Sequence, residues 1–449
     1  MDDSSGSARF PSDRLLLLAL DAVPHRVAAA AFEVGAFDGW SAPIAVVAPF
    51  PSLTHPGFAA LFAPFGVQAS WGYEVRYFDV AANAMAGGNP LAYRHQVPPW
   101  GRLIDSGHPG VLGKGANYVA STRAALAELD GIIEGALSAP GPAFIGYLGS
   151  TDALMHLYGD DTAVAFLVEL AQRCDRARAV HLRRRGLPLR IGLFSDHGCG
   201  QQPVHYTGDI RSRLRQAGLR VVDRLQGPGD VVAPTFGIVN YLALFLADPQ
   251  QSAEAAGALV DHPAVDLVAW RSAPDGIEVM AGSGRASLRW TADDGQRKIA
   301  YQPGGADVLD QSDAVERMRS GGYIGEDGLG LDRDWLQASV DSRYPDGPAR
   351  VIDALAGERI RSRATVLASL GPGWSWGWRS AYLGTLVRSG RLKGTHGGLD
   401  RESSLAFLTV SDAGTQAAPT GGGHRRLIRA EEALTDFAPM ISAARRDSR

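Results

Sequence analysis

Apolar positions in this chain fall in short continuous runs more often than in strict alternation. The runs at Leu15 to Leu20, Ala45 to Pro49, Phe144 to Leu148, 190–194, 364–370 and 405–410 predict strands, and Leu15 to Leu20 is of the continuous type covered on both faces in parallel sheets. Between them, helical periodicity predicts helices over 27–32, 57–65, 121–137 and 161–185, so strands and helices alternate as in an α/β domain. Further on, a basic helix at 208–218 is followed by the apolar run FGIVNYLALFL, an Ala-rich helix at 252–260 and the strand VDLVAW. An alternating stretch at 278–301, turned at Gly282 to Gly284, completes what reads as an inserted smaller α+β subdomain over 220–305, with a mixed insertion at 306–362. The main domain is then 14–411, and 412–449 forms a Gly-rich linker and an amphipathic helix over 426–445. Residues 1–13 are small and polar and are expected to be disordered.

Composition narrows the class. At 449 residues the chain suits one large α/β domain carrying insertions. A net charge of -4 argues against general nucleic-acid binding and against a bilayer surface, both of which call for a basic patch. The basic run Arg176, Arg178 and Arg183 to Arg185 reads as a solvated helix end. Two cysteines, Cys174 and Cys199, are too few for a disulfide scaffold and read as free thiols. The run Leu15 to Leu20 is short and follows Asp13, which fits a first strand and not a secretion signal. No stretch approaches the roughly 20 apolar residues that cross a bilayer. A cytoplasmic protein without membrane attachment is expected, and nothing in the sequence specifies an oligomeric state.

Six potential metal ligands and one hydroxyl stand in five short segments with apolar flanks. These are LLLLALDAVP with Asp21, PSLTHPGFAALF with Thr54, YLGSTDALMHLYG with Asp152 and His156, FSDHGCG with Asp196 and His197, and KGTHGG with His396. Asp152 and His156 are spaced to share one face of a helical turn. Thr54 precedes a Pro-initiated helix, whose N-terminus favours an anion. Each piece alone is weak, since a single His in a loop is usually a surface residue. Together, most of them at or just beyond strand ends, they furnish O and N ligands for two borderline ions such as Zn²⁺, with no Cys to close a structural site. A two-metal catalytic centre is the economical reading.

In their order and spacing these segments resemble the alkaline phosphatase superfamily, and within it the type I phosphodiesterase/nucleotide pyrophosphatase group. The matching pieces are the Asp ending the first strand, PSxTxP, DxxxHxYG, SDHG and GTHG, spread from residue 15 to about 400. The resemblance implies an alkaline-phosphatase-like fold, with a mostly parallel central sheet and helices on both faces. It also implies two divalent ions, most simply zinc: one held by Asp21, Thr54, Asp196 and His197, the other by Asp152, His156 and His396. Thr54 would attack a small-molecule phosphate ester and form a phosphothreonine intermediate. For the Asn that binds a phosphoryl oxygen, Asn83 in AANAM is the expected position, with Asn89 nearby. The family's DGxR is replaced here by Asp21-Ala-Val-Pro.

The same metal core serves phosphomonoesterases and phosphonate hydrolases, so the ester class stays open. A sulfatase needs Cys or Ser followed by x-Pro-x-Arg, and Thr54-His55-Pro56-Gly57-Phe58 has neither the Cys nor the Arg. A non-catalytic metal-binding protein on the same scaffold is disfavoured by the presence of all seven groups. Ser52 competes with Thr54 as nucleophile. Trp374, Trp376 and Trp378 line the pocket or pack a core, His55 faces the pocket or caps a turn, and Tyr158 packs on the metal helix.

Overall fold

The computed structural model describes residues 14–87, 97–106, 121–235, 237–293, 295–377, 392–411 and 427–446. The tail 1–13, Asn89, Trp378 and the linker 412–424 lie outside them. The chain opens with β1 (Arg14–Leu20), α1 (His25–Glu33), β2 (Ile44–Val47), α2 (Thr54–Leu61) and a hairpin of β3 (Arg76–Asp79) and β4 (Ala84–Gly87). Then come helix Ser121–Ser138, β5 (Ala143–Leu148), helices Ser150–Leu157 and Asp160–Arg185, and β6 (Leu189–Ser195).

A six-stranded sheet, with two strands near the C-terminus, β19 (Leu405–Val410) and β20 (Leu427–Arg429), forms the centre in the order β20-β2-β19-β6-β1-β5. β1 pairs in parallel with β5 and with β6, β2 pairs in parallel with β20, and only β19 runs against its neighbours. Alternate residues of β1 enter opposite cores. Leu16, Leu18 and Leu20 pack with α1 and with helices Ser121–Ser138 and Asp160–Arg185, while Leu15, Leu17 and Ala19 pack with α2 and the C-terminal helical turns. A leucine buried in this way contributes on the order of 1.5–3 kcal/mol, which is why the run carries no polar residue. The mostly parallel sheet with helices on both faces is therefore as expected.

The middle of the chain builds a second, nine-stranded sheet. Its strands are β8 (Arg220–Val221), β9 (Asp230–Val232), β11 (Tyr241–Leu246), β12 (Val265–Ala273), β13 (Gly276–Ala281), β14 (Gly284–Asp293), β15 (Gln296–Pro303), β16 (Gly330–Leu331) and β17 (Val366–Leu370). Their order is β16-β15-β14-β13-β12-β17-β11-β9-β8. The sheet therefore continues beyond 220–305. The run at 364–370 is the buried strand expected, and as β17 it lies between β11 and β12, antiparallel to both. A third, small sheet joins β10 (Ile238–Val239), β18 (Trp374–Gly377) and β7 (His205–Tyr206). Among the described residues no helix is long and apolar enough to cross a membrane.

The C-terminal stretch departs from the single helix expected over 426–445. Leu427–Arg429 is a strand on the open edge of β2, and helix follows only from Ala430. Arg429 then reaches into the inserted region. Its guanidinium donates to Asp346 at 2.6 and 2.8 Å and to Asp332 at 2.6 and 3.0 Å. Asp332 also accepts from Arg297, which reaches Asp353. This network clamps the edge of the central sheet to the helices under the second sheet. Arg429→Met should therefore lower unfolding free energy by about 3–5 kcal/mol in denaturant titrations, because buried Asp346 loses its paired counter-charge while Asp332 keeps only Arg297.

Candidate metal centre

Parallel strands deliver their C-terminal ends to one edge of a sheet, where open α/β folds bind ligands. Here β1 ends at Asp21, β6 ends at Asp196 and His197, and β5 leads into helix Ser150–Leu157, which carries Asp152 and His156. β2 runs toward Thr54, the first residue of α2, and His396 arrives on the loop before β19. That loop is stitched to the end of β10 and the residue joining it to β11: Val239 forms a β-bridge with His396, and the Asn240 N–H donates to the His396 carbonyl at 2.9 Å.

The structure brings seven of the eight expected site residues together. Asp152, His156 and His396 form one group and Asp21, Asp196 and His197 another, with ligand atoms within 4.8 Å of one another in each. Asp152 Oδ1 lies 3.1 Å from His156 Nε2 and 3.3 Å from His396 Nε2. His197 Nε2 lies 3.4 Å from Asp196 Oδ2 and 3.7 Å from Asp21 Oδ1. Thr54 Oγ1 stands 3.3 Å from Asp21 Oδ1 and 3.5 Å from His197 Nε2. Atoms at the corners of a zinc tetrahedron of radius about 2.0–2.1 Å are separated by about 3.3–3.4 Å, so these edges fit a divalent ion in each group. The His197 and His396 rings stack at 4.2 Å, which makes the two groups neighbours.

Hydrogen bonding aims the imidazoles. His156 Nδ1 donates to the Gly394 carbonyl at 2.8 Å and His197 Nδ1 to the Gly198 carbonyl at 2.9 Å. Each ring then presents an Nε2 lone pair inward, the arrangement of metal-binding histidines. Buried polar atoms normally find partners. Asp152 Oδ1 and Asp196 Oδ2 are buried without a hydrogen-bond partner among the described residues, and both point into the groups just described. A cation is the partner they fit.

The electrostatics agree. Burial and then the nearby Asp21 charge push Asp196 well above the usual carboxylate range. Burial and then His396 push His197 well below the usual imidazole range. Burial works against ionised Asp152 too, but His156 and His396 hold it well below its ordinary value. Like charges this close are in conflict until positive charge is added.

Asn83 is the exception. It occupies the β3–β4 turn with φ 48°, a left-handed conformation that Asn tolerates. Its Nδ2 donates to the Leu225 carbonyl at 2.7 Å, and its Oδ1 accepts from the Leu225 N–H at 2.8 Å. The amide is spent on pinning the hairpin to the inserted region, so the expectation of a phosphoryl-oxygen ligand is corrected. Ser52 is likewise engaged: it is buried, donates to the Gly398 carbonyl at 3.0 Å and accepts from Arg350 at 3.0 Å. Trp376 is buried in the second-sheet core and donates to the Pro234 carbonyl, while Trp374 packs against His205 and His262. His55 accepts from Trp100 Nε1 at 3.3 Å, and Tyr158 is exposed at the end of its helix.

Three supporting residues escaped the sequence reading. Tyr147 on β5 donates to Asp21 Oδ2, and burial together with the Asp21 charge keeps its phenol protonated for that role. Its hydroxyl in an otherwise apolar strand was the signal. Arg350 is buried and lowered to about 10, still charged at neutral pH, and it ties Ser52 to the Leu399 carbonyl. The Thr54 loop and the His396 loop thereby share one anchor. Gly57 lets α2 approach the end of β6, because a Cβ there would meet the Asp196 carbonyl oxygen at 2.7 Å. A glycine inside a helix costs about 1 kcal/mol, and that unexplained cost was its signal.

No family model matches this chain, and no curated protein matches it. Solved structures similar to it include human ectonucleotide pyrophosphatase/phosphodiesterase 5, 12% identical over 96% of this chain and 95% of that one, with a TM-score of 0.46. The murine protein of the same name is 12% identical over 96% and 95%, with a TM-score of 0.47. Phosphonoacetate hydrolase from Sinorhizobium meliloti 1021, in complex with phosphonoformate, is 14% identical over 97% and 96%, with a TM-score of 0.48.

Gly57→Ala should displace α2 from Asp196, lowering stability by about 1–3 kcal/mol. Metal content at the group containing Thr54 should fall with it. Thermal melting and elemental analysis check the two effects separately, and a variant indistinguishable from wild type in both would mean that the helix moves away without cost.

Proposed function

We propose that this chain is a metal-dependent hydrolase of phosphate esters, with Thr54 as nucleophile and a phosphodiesterase or nucleotide pyrophosphatase as the nearest description. The observation that carries the reading is the Thr54 hydroxyl beside the Asp21, Asp196 and His197 group, 3.3 Å from Asp21 and 3.5 Å from His197. Two bound divalent ions would supply the positive charge that makes a threonine hydroxyl acidic and neutralises charge growing on a phosphoryl group. The chain itself supplies position. Thr54 is held at the first turn of α2, whose N-terminal dipole favours a phosphoryl oxygen. Asp21 is oriented by Tyr147 and is the carboxylate that the Thr54 hydroxyl faces. Ser52, two residues earlier, has its oxygen committed to Arg350 and Gly398, which favours Thr54 over it.

Zinc is the metal the donor set suits best. Three imidazole nitrogens among six protein ligands favour a borderline ion over Mg²⁺, which prefers oxygen. The substrate is proposed to be a small phosphate ester. Phosphomonoesters and phosphonates remain the alternative within the same chemistry, because the metal groups alone do not sense the group left on phosphorus.

Thr54→Ala should keep fold and metal while lowering turnover of phosphate esters by on the order of 10² or more, and Thr54→Ser should keep part of the activity. Steady-state kinetics on mono- and diester chromogenic substrates measure both. Near wild-type turnover by Thr54→Ala, with Ser52→Ala inactive, would transfer the role to Ser52. Elemental analysis of metal-replete protein should find about two transition-metal ions per chain, and chelation should abolish activity, restored by Zn²⁺. Full activity in protein free of transition metal would exclude zinc catalysis.

A further inference from the structure

Beside the β3–β4 hairpin, and apart from the metal-ligand residues, lies a cavity of about 200 Å³. Its polar lining comes from Arg76, Arg211, Arg215, Asp223 and Thr235. Arg76 begins β3, and Arg211 and Arg215 stand one turn apart on helix Ile210–Gln216, on the same face. Like charges at that spacing repel. Arg213, between them in sequence and absent from the cavity lining, has its own carboxylate, Asp209, at 3.5 Å. Among the described residues no ion pair neutralises Arg76, Arg211 or Arg215, and Asp223 pairs with none of them. Arg211 is nevertheless fixed: it donates to the Ala233 carbonyl at 3.3 Å, and its guanidinium carbon lies 5.9 Å from the Trp376 ring centre.

We propose that this cavity is a binding site for a small dianion of the phosphate class, a phosphate monoester group or pyrophosphate. Three guanidiniums against one carboxylate leave a surplus of two positive charges, which a dianion neutralises. Guanidinium forks match phosphate oxygens in geometry, and the Thr235 hydroxyl adds a further donor. The volume is below the roughly 300–1,000 Å³ of sites that enclose drug-sized ligands, so it suits a small anion and not a whole nucleotide. The anion has two possible sources. Thr235 is four residues before Val239, whose backbone bridges His396. Four residues span at most about 14 Å, which bounds the separation of Thr235 from Val239, and the two sources are a second phosphate on a substrate held at the metal groups and a free anion.

Calorimetric titration of pyrophosphate into chelator-treated full-length protein at physiological salt tests the site without the metal groups. It therefore succeeds or fails independently of the reading that the protein is a phosphate-ester hydrolase. Wild-type protein should bind, Arg76→Gln and Arg215→Gln should each weaken binding about tenfold, and the double variant about a hundredfold. Arg213→Gln, which removes an arginine already paired with Asp209, should bind as wild type does. Matching circular dichroism and melting temperatures confirm that the variants fold. No binding by wild-type protein, or equal binding by Arg215→Gln and Arg213→Gln, overturns the proposal. Kinetics of the metal-replete enzyme then identify the source. A KM increase in Arg215→Gln only for diesters carrying a second, remote phosphate assigns the site to the substrate, and equal KM with and without that phosphate assigns it to a free anion; both uphold the site.

Discussion

Two carboxylates and three imidazoles are buried at one edge of a sheet, with the half-buried Asp152 beside them, and the rest of the molecule is arranged to make that tolerable. Removing so many ionisable groups from water is costly unless each is paired or binds a metal. The backbone meets part of the cost, through the Gly394 and Gly198 carbonyls that accept from His156 and His197. Ala22 and His197 N–H groups donate to Asp196 at 3.1 and 3.0 Å, and Tyr147 donates to Asp21. What remains unpaired, Asp152 Oδ1 and Asp196 Oδ2, faces the two places where cations fit.

Precision of this kind depends on rigid elements close to each ligand. Asp21 and Asp196 leave adjacent strands whose register is set by paired, fully buried residues such as Leu20 and Ser195. Gly57 brings the Thr54 helix against the end of β6, closer than any side chain would permit. The second sheet does more than decorate the first. The residues leading from β10 of the small sheet into β11 of the second, Val239 and Asn240, hold the His396 loop, and Arg350 from the second sheet's supporting helix ties that loop to the one carrying Thr54. Candidate ligands from both ends of the sequence are thus braced by the region between them. The Arg429 clamp fastens the same region to the far edge of the central sheet.

Much of this arrangement was legible in the chain. A run such as Leu15 to Leu20 fits a strand covered on both faces, and a polar residue directly after such a strand emerges at the sheet edge. The same logic located Asp196 and His197 after 190–194, and helical spacing put Asp152 and His156 on one face. Local pattern therefore determined which groups leave the core, and in what order. It did not determine their partners. Asn83 reads equally as a ligand or as a turn residue, and only the proximity of Leu225, far away in sequence, spends its amide on structure. The run at 364–370 reads as a buried strand of no particular direction and lies antiparallel in the second sheet, because strand direction is a property of neighbours and leaves no trace in hydropathy. Leu427–Arg429 becomes a strand because β2 has an open edge there. Gly57, Arg350 and Tyr147 acquired their roles from contacts across 139, 298 and 126 positions, in the same way. The sequence by itself determined the chemistry available and the elements that carry it; tertiary structure alone decided which of those groups meet, since distances across the fold depend on packing that no local window contains.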